Sequence, residues 1–429
     1  MKFSFFKKIF RSFPVFLAAF VIISLAADIS FLDRKTTFSR GEAGWDGMPD
    51  FKVFWQAGNV MAAKIRGKGD APGSFKPLYD KEEVFYHFRY SPASALVMVP
   101  FGVIPYPRIA MLIWLLLGNA VFLSALLVLA EHVRKKTSLG DVDRCFMLWI
   151  MFLGTLRYYL VVISQGQTDG VIVFLLVLLL VSYVQKKDIL AGILFAVILQ
   201  IKPFFIPLGF LFIVEKRYRA ILSAFILIAA FIFIPSVLLG IRETLLLTKE
   251  WILMVASSVP SQVMNYKNQS LSYGAAVALF RLTGLENIFS AKEVIGALSV
   301  VFTAIAFGFF LFRGKYLKAR FADFYEHFAV SFIVAVSVIF SPISWEAYYL
   351  FLMIPLSLVF TQGIKEHKKK TMVLYLAGYF ILTYSAGTDI TKFIPGLNNF
   401  RFINISLGAV LLILGMFKLS SAKPVDLGV

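Results

Sequence analysis

Apolar runs of about twenty residues recur along the chain and are separated by short polar turns. A helix needs a run of this length to cross the hydrocarbon core of a bilayer. Because the runs return over nearly the whole sequence, they predict an all-α polytopic membrane protein whose helices pack against one another in lipid. The predicted spans are 13–32, 108–130, 145–163, 170–185, 220–240, 292–312, 325–341, 347–362, 371–387 and 402–418.

Three further apolar stretches are short or broken, at 94–106, 189–214 and 271–285. We expect these to be half-helices or hairpins, which gives a single membrane domain (1–429) of about 10–13 spanning or half-spanning helices. Within it we expect a non-cytoplasmic loop with interfacial helices (33–93), a core bundle (94–362) and a C-terminal helical part (371–418). The first apolar run follows a basic start but has no persuasive cleavage site, which predicts an uncleaved first helix.

The basic loops predict the orientation, because short loops rich in Lys and Arg stay in the cytoplasm. All the basic loops fall on the cytoplasmic side if 189–214 enters the membrane and returns to the side from which it started. Both termini are then cytoplasmic. The basic loops are 134–136, 186–187, 216–219, 313–320 and 365–370. The opposite face then receives the loop 33–93, the turn 164–169, the stretch 241–270 and the segment 341–346.

Composition narrows the function classes. The chain is 59% hydrophobic and 16% charged, and its net charge of +18 comes mostly from short basic loops between apolar runs. The charge therefore follows from topology and does not indicate a nucleic-acid partner. Cys145 is the single cysteine, so an intramolecular disulfide is excluded, and the four histidines are scattered without ligand spacing. We expect no metal cofactor.

The first predicted outside loop carries two aspartates, Asp46 and Asp50, just before an amphipathic pattern. Pro49 suits a helix start, and apolar residues from Phe51 onward fall near one face, as in a helix lying on the membrane surface. Asp50 at the amino-terminal end of this helix either caps it or faces a site at the interface. Spacing alone favours the cap, and the same two readings apply to Asp46.

Lys202 lies next to Pro203 inside the apolar stretch 189–214. Its ammonium group needs water, a carboxylate or an anion, so it either extends to the interface or receives a phosphate at a broken helix. Further polar groups lie on the same predicted face, near turns or helix ends. They are Arg89, Tyr90, Gln167, Asp169, Arg281, Trp345 and Glu346.

The order of short motifs resembles glycosyltransferase family 87. The motifs are Asp50-Phe51-x-Val53-Phe54-x-x-Ala57-Gly58, Leu78-Tyr79, Phe88-x-Tyr90-x-Pro92, Ala95-Leu96-x-x-x-Pro100, Pro105, Trp114, Gly166-Gln167, Ala191-Gly192, Lys202-Pro203 and Ser341-Pro342-x-Ser344-Trp345. Each motif is weak alone, and their number and order over about residues 13–350 carry the resemblance.

The resemblance implies a GT-C-like bundle in a bacterial inner membrane that uses a polyprenyl-phosphate sugar and a glycolipid or glycan acceptor. By the same resemblance Asp50 matches the catalytic aspartate and would act as general base in an inverting, metal-independent transfer. Lys202, Arg89 and Arg281 are the candidates for stabilising the donor phosphate. Supporting or substrate-binding roles fall to Asp46, Tyr90, Gln167, Asp169, Trp345 and Glu346.

The chain departs from the family pattern at two positions. Glu346 stands where the family often has a histidine, and Asp169 stands where it often has asparagine. The acceptor and the sugar, a mannose-like hexose or a pentose, therefore stay open. Two other readings also remain: a transporter or flippase of lipid-linked sugars, which predicts mid-span polar residues and an internal repeat, and an envelope glycan polymerase or ligase.

Overall fold

The computed structural model describes residues 10–33, 48–67, 78–79, 88–263, 268–283, 290–385 and 403–420. The α-helices in these ranges are α1 (Phe13–Asp33), α2 (Pro49–Ile65), α3 (Pro92–Val97), α4 (Val99–Gly102), α5 (Pro107–Thr137), α6 (Asp141–Gln165), α7 (Asp169–Val184), α8 (Asp188–Ile201), α9 (Ile206–Val214), α10 (Tyr218–Leu239), α11 (Ile241–Val263), α12 (Leu271–Thr283), α13 (Ala291–Phe312), α14 (Gly314–Phe321), α15 (Tyr325–Phe340), α16 (Met353–Lys365), α17 (Lys369–Ser385) and α18 (Ile403–Leu419). Short 3-10 helices cover Pro203–Phe205, Ala322–Phe324 and Glu346–Leu352.

Helices account for the architecture, and no strand occurs in the described ranges. Seven helical segments there are long and apolar enough to cross a membrane: Phe13–Ser30, Pro107–Thr137, Asp141–Gln165, Tyr218–Leu239, Lys292–Phe312, Gly314–Phe340 and Glu346–Lys365. Shorter apolar helices add Asp169–Val184, Asp188–Ile201, Pro203–Val214, Leu271–Phe280 and Asn404–Leu419. The prediction of an all-α polytopic membrane protein is confirmed.

The basic loops meet at one end of the bundle, which we name the basic end. Lys186 pairs with Glu326 at 2.9 Å, which joins the turn after α7 to the start of α15. Lys318 pairs with Glu215 at 3.0 Å, which joins α14 to the turn after α9. Lys368 donates to the Leu419 carbonyl at 3.1 Å. The basic loops therefore share one end, as the charge pattern predicts.

The segment 188–217 enters the bundle and returns to the basic end. Arg217, just after α9, donates to the Tyr183 carbonyl at 2.6 Å and pairs with Asp188 at 3.2 Å, so both ends of the segment meet. At its apex Lys202 lies 3.4 Å from Asp169, the first residue of α7. We name the end that holds this apex the site end. The hairpin predicted for 189–214 is confirmed.

No span or half-helix was predicted within the stretch 241–270, which the loop charges assign to the same face as Asp50. It contains α11, whose charged residues Glu243, Lys249 and Glu250 hide its helical pattern from a hydropathy scan. Glu243 pairs with Lys64 of α2. The Trp251 indole donates to the Arg89 carbonyl at 3.1 Å. A long polar helix thus packs against the segments that carry the candidate site.

Candidate active site

Asp50 does not cap the helix on which it lies. The helix α2 begins at Pro49, after Met48 in a left-handed conformation (φ 55°), and the side chain of this N-cap residue makes no capping hydrogen bond. Asp50 is the second helical residue, where the helix dipole favours a negative charge. Its carboxylate accepts a hydrogen bond from the side-chain amide of Gln167. The capping interpretation is therefore wrong, and the carboxylate faces another element.

A close helix crossing fixes α2 and, with it, Asp50. A Cβ atom on Gly58 would lie 2.2 Å from the Met98 carbonyl oxygen, and one on Gly102 would lie 2.3 Å from the Gly58 carbonyl carbon. Both contacts are far inside van der Waals distance, so only glycine permits the approach. Phe51 and Phe54 on the same helix face are fully buried against the Trp114 ring. The predicted interfacial helix is thus held firmly against the bundle.

The turn between α6 and α7 brings Gln167 to Asp50. Gly166 has φ 69°, and a Cβ atom there would lie 2.6 Å from the Cβ of Phe51. Its carbonyl oxygen accepts a hydrogen bond from the Trp114 indole at 3.0 Å. Because glycine is required both by the backbone conformation and by the contact with α2, the turn can approach α2 only with this residue. Gln167, the next residue, then reaches the carboxylate.

Lys202 and Asp169 form a buried ion pair at the site end. Lys202 Nζ lies 3.4 Å from Asp169 Oδ2, and the side chains are 8% and 0% exposed. The same ammonium hydrogen bonds the Tyr348 hydroxyl and lies 4.1 Å from the centre of its ring. The Lys202 side chain therefore does not extend to the water interface, which was one of the two readings of the sequence. It is held by a carboxylate and an aromatic side chain.

The helix break at Pro203 places Lys202 at the apex. The Lys202 amide still donates to the Ile198 carbonyl at 2.7 Å, whereas a 3-10 turn begins at Pro203. Phe204 in that turn stacks on the Tyr348 ring, with centroids 4.8 Å apart. The hairpin apex thus packs on the 3-10 helix Glu346–Leu352, and the charged side chain is directed towards Asp169.

Three charges from separate parts of the chain, Lys202, Asp169 and Arg89, act on Asp50. Burial raises the pKa of the Asp50 carboxyl above its usual range, while the Gln167 hydrogen bond and the positive charge of Lys202 partly lower the pKa again. Asp169 adds to the raised pKa, and Arg89 opposes it. A carboxylate with a raised pKa is a better match for proton abstraction near neutral pH than an ordinary aspartate.

Arg89 and Tyr90 lie beside Asp50 on the segment that precedes α3. The Tyr90 ring packs on Phe54 with centroids 5.3 Å apart, and the Tyr90 carbonyl accepts from the Tyr79 hydroxyl at 2.9 Å. The charges of Arg89 and Asp50 interact, and the Arg89 guanidinium also interacts with the Tyr348 phenol. Backbone and ring contacts thus place Arg89 and Tyr90, both singled out from the sequence, near the Asp50 carboxylate.

Glu346 and Trp345 have local partners. The Glu346 carboxylate pairs with the Arg157 guanidinium, which also donates to the Thr383 carbonyl at 2.8 Å. Trp345 is half-buried, and its carbonyl accepts from the Tyr348 amide at 2.9 Å at the start of the 3-10 helix. Glu346 therefore joins α6 to α17 through Arg157, and Trp345 begins the turn that presents Tyr348.

Two predicted residues cannot be placed in the cluster. Asp46 lies outside the described residues, and Arg281 is in α12 but its side chain also lies outside them. Their roles stay predictions.

A second polar network adjoins the cluster. The Asn119 amide donates to Asp28 Oδ2 at 2.7 Å and accepts from the Tyr159 hydroxyl at 2.6 Å, and Ser24 hydrogen bonds that hydroxyl at 2.8 Å. A cavity of about 20 Å³, large enough to hold one water molecule, lies between this network and Gln167.

Sequence reasoning missed Tyr348, Arg157 and the Asn119 network. Arg157 offered a signal, because an arginine inside an apolar run of spanning length needs a partner. Tyr348 is one of two adjacent tyrosines near a helix start and gave no distinguishing sign. Among the described residues, no three or more His, Cys, Asp or Glu side chains are grouped as a metal site would require.

The arrangement can remove a proton at Asp50 and stabilise negative charge at Lys202 and Arg89, on one end of a membrane bundle. No curated protein and no solved structure matched the chain. The model of glycosyltransferase family 87 matches residues 88–342, which is more than half of the chain and includes Arg89, Gln167, Asp169 and Lys202 but not Asp50 or Tyr348. With the match extending over this much of the bundle, the chain belongs to glycosyltransferase family 87.

Proposed function

We propose that this glycosyltransferase moves one sugar from a polyprenyl-phosphate donor to a glycolipid or glycan acceptor, with inversion and with Asp50 as general base. The sugar is a mannose-like hexose or a pentose. The reaction takes place at the site end, which we assign to the non-cytoplasmic face of a bacterial inner membrane because the basic loops occupy the other end.

The proposed step is a single displacement. The acceptor hydroxyl gives its proton to the Asp50 carboxylate, and the acceptor oxygen forms a bond to the anomeric carbon. The bond from that carbon to the phosphate oxygen breaks, and its electron pair stays on the polyprenyl phosphate. Lys202 and Arg89 stabilise the negative charge that grows on the leaving phosphate. Only one essential carboxylate is required, in contrast to the pair in a hydrolase.

One observation carries this proposal: the carboxylate of Asp50 lies within electrostatic reach of both Lys202 and Arg89. The three residues come from α2, from the hairpin apex and from the segment before α3. Neither a helix cap nor a surface ion pair explains Asp50, whose hydrogen-bond donor is the Gln167 amide. A base next to two cations suits an acceptor hydroxyl next to a phosphate leaving group.

The donor set adds support. Carboxylate, amide, phenol and ammonium groups surround the site, and the charges of Lys202 and Arg89 both act on the Asp50 carboxylate. We therefore propose that cationic side chains stabilise the charge of the phosphate. Activity that survives a chelator is the expected result, and activity that a chelator abolishes and Mg²⁺ or Mn²⁺ restores would contradict this part of the proposal.

The test compares wild-type protein with Asp50→Asn, each offered a polyprenyl-phospho-sugar and an envelope lipid extract. Asn keeps the shape and cannot take the proton, so we expect transfer to fall by about 10²–10⁴-fold. Asp323→Asn removes an exposed carboxylate at the basic end and serves as the matched control. Its transfer rate should equal that of wild type.

Equal transfer by wild type and Asp50→Asn would show that Asp50 is not the base. Movement of lipid-linked sugar between leaflets without any new glycolipid would favour the transporter reading. Transfer of a whole glycan in one step would favour the polymerase or ligase reading. A single added sugar with the inverted anomeric configuration is the result that the proposal predicts.

A further inference from the structure

A cavity of about 830 Å³ opens at the basic end, between α5, α6 and α7. Its apolar wall includes Leu127, Val128 and Val181, which lie deeper in the bundle than the charged rim. The volume is within the range of pockets that hold small ligands, about 300–1,000 Å³. An apolar wall below a charged rim suits an amphiphile with a polar head and a hydrocarbon tail.

The rim carries more positive than negative charge. Lys135, Lys136 and Arg144 line the cavity, together with the single carboxylate of Glu131. That carboxylate is already taken by Arg134, which donates to both of its oxygens at 2.7 and 2.9 Å. Its distance from the Arg144 guanidinium is 3.9 Å, beyond hydrogen-bond range. Lys135 Nζ also lies 3.7 Å from Glu131, and Lys136 Nζ lies 3.7 Å from Glu326, which pairs with Lys186 as well. Positive groups therefore still outnumber the carboxylates at the rim.

Two donor-capable atoms at this rim are buried and lack a hydrogen-bond partner within the described ranges. They are Arg144 Nε and His132 Nε2. An unpaired buried polar group costs free energy, so a site with two of them is expected to gain a partner. Lys135 adds a flexible ammonium group whose side chain is 73% exposed. An anion with several acceptor oxygens would satisfy these groups together.

We propose that this cavity binds the phosphate headgroup of an anionic phospholipid, with an acyl chain along the wall of Leu127, Val128 and Val181. The site is distinct from the candidate active site. The helix α7 runs from Asp169 to the turn at Gln185, and its length of 16 residues at 1.5 Å per residue separates the two places by about 24 Å. The proposal does not depend on the sugar-transfer reaction.

The test uses native mass spectrometry of the purified full-length protein titrated with phosphatidylglycerol or with phosphatidylcholine of the same acyl chains. We expect one phosphatidylglycerol to remain bound in preference to phosphatidylcholine. Each basic residue near a membrane surface contributes roughly a five-fold gain in affinity for anionic lipid, so Lys135→Gln with Arg144→Gln should weaken binding about 30-fold. Lys369→Gln with Lys370→Gln removes two exposed charges elsewhere on the basic end and should leave binding unchanged.

Equal affinity for both lipids, or an equal loss in the control pair, would overturn the proposal. Inorganic phosphate distinguishes the source of the anion: displacement of the lipid by free phosphate at comparable concentration would show a phosphate-ion site instead. Lys135→Gln alone covers the case in which the double variant fails to fold, because this side chain is mostly exposed. It should weaken phosphatidylglycerol binding about five-fold, and no change would contradict the proposal.

Discussion

Two exposed ion pairs at the basic end, those of Lys186 and Lys318, contrast with the buried pair at the site end. At the basic end the paired lysines are open to solvent, with side-chain exposures of 61% for Lys186 and 54% for Lys318. At the site end the Lys202–Asp169 pair is 8% and 0% exposed. Exposed pairs contribute about 0–1 kcal/mol, whereas taking one partner from a buried pair costs about 3–5 kcal/mol.

The difference in burial indicates which charged residues have a role beyond stability. The exposed pairs of Lys186 and Lys318 suit topology and solubility and can be lost at little cost. A buried pair, by contrast, is rarely the most stable choice, because apolar residues of similar volume often do as well or better. Lys202 and Asp169 are next to a carboxylate that the helix does not need for capping. We propose that the pair keeps the Lys202 ammonium in place for the phosphate of the donor.

Substitution of Lys202 should give the largest effect and should distinguish the buried ion pair at the site end from the exposed pairs at the basic end. In Lys202→Met the buried Asp169 loses its partner, so we expect unfolding free energy to fall by about 3–5 kcal/mol and transfer to fall by about 10²–10³-fold. Lys318→Met is the matched variant at the basic end and should change stability by about 0–1 kcal/mol. Denaturation and transfer assays of both proteins in the same lipid check this, and similar losses in the two would contradict the comparison.

Replacing both members of the buried pair tests whether Lys202 acts in sugar transfer or only in stability. Lys202→Met combined with Asp169→Leu removes both charges, and we expect the double variant to regain most of the stability lost by Lys202→Met. Transfer should stay as low as in the single variant, since the phosphate still lacks its cation. Recovery of transfer together with stability would show that the pair has only a structural role.

The hydrogen bond from Gln167 should affect the pH dependence of transfer. This bond lowers the pKa of Asp50 by stabilising the carboxylate, so Gln167→Ala should raise that pKa further. A hydrogen bond to a charged group is worth about 1.5–3 kcal/mol, which corresponds to roughly 1–2 pH units. The base must be deprotonated, and the acidic limb of kcat/KM should therefore move to higher pH by this amount. An unshifted limb, with activity retained, would argue against Asp50 as the titrating base.

Much of the architecture follows from the sequence, because long apolar runs and basic loops are local signals. The hairpin 188–217 was predictable since the loop charges agree only if that segment returns to its starting side. The helix α11 was not predictable in this way, because Glu243, Lys249 and Glu250 interrupt its apolar pattern. Hydropathy finds apolar helices, whether they face lipid or protein, and fails for a helix with several charged residues.

The site was predictable only in part. Asp50 and Lys202 could be singled out because each is a charge in an unusual local setting. Their meeting depends on glycines at 58, 102 and 166, whose need for close approach appears only in the packed structure. The pair of Arg157 and Glu346 joins residues 189 positions apart, and no local pattern indicates such a contact. Tyr348 gains its place from the register of a 3-10 helix, which the sequence pattern does not show.

The most direct test of the account is the structure of the protein with a polyprenyl phosphate bound. The phosphate should lie at the site end, with an oxygen about 3 Å from Lys202 Nζ and with the Asp50 carboxylate facing the sugar position. Phosphate bound at the basic end alone, with Lys202 still engaged only by Asp169 and Tyr348, would contradict the central claim.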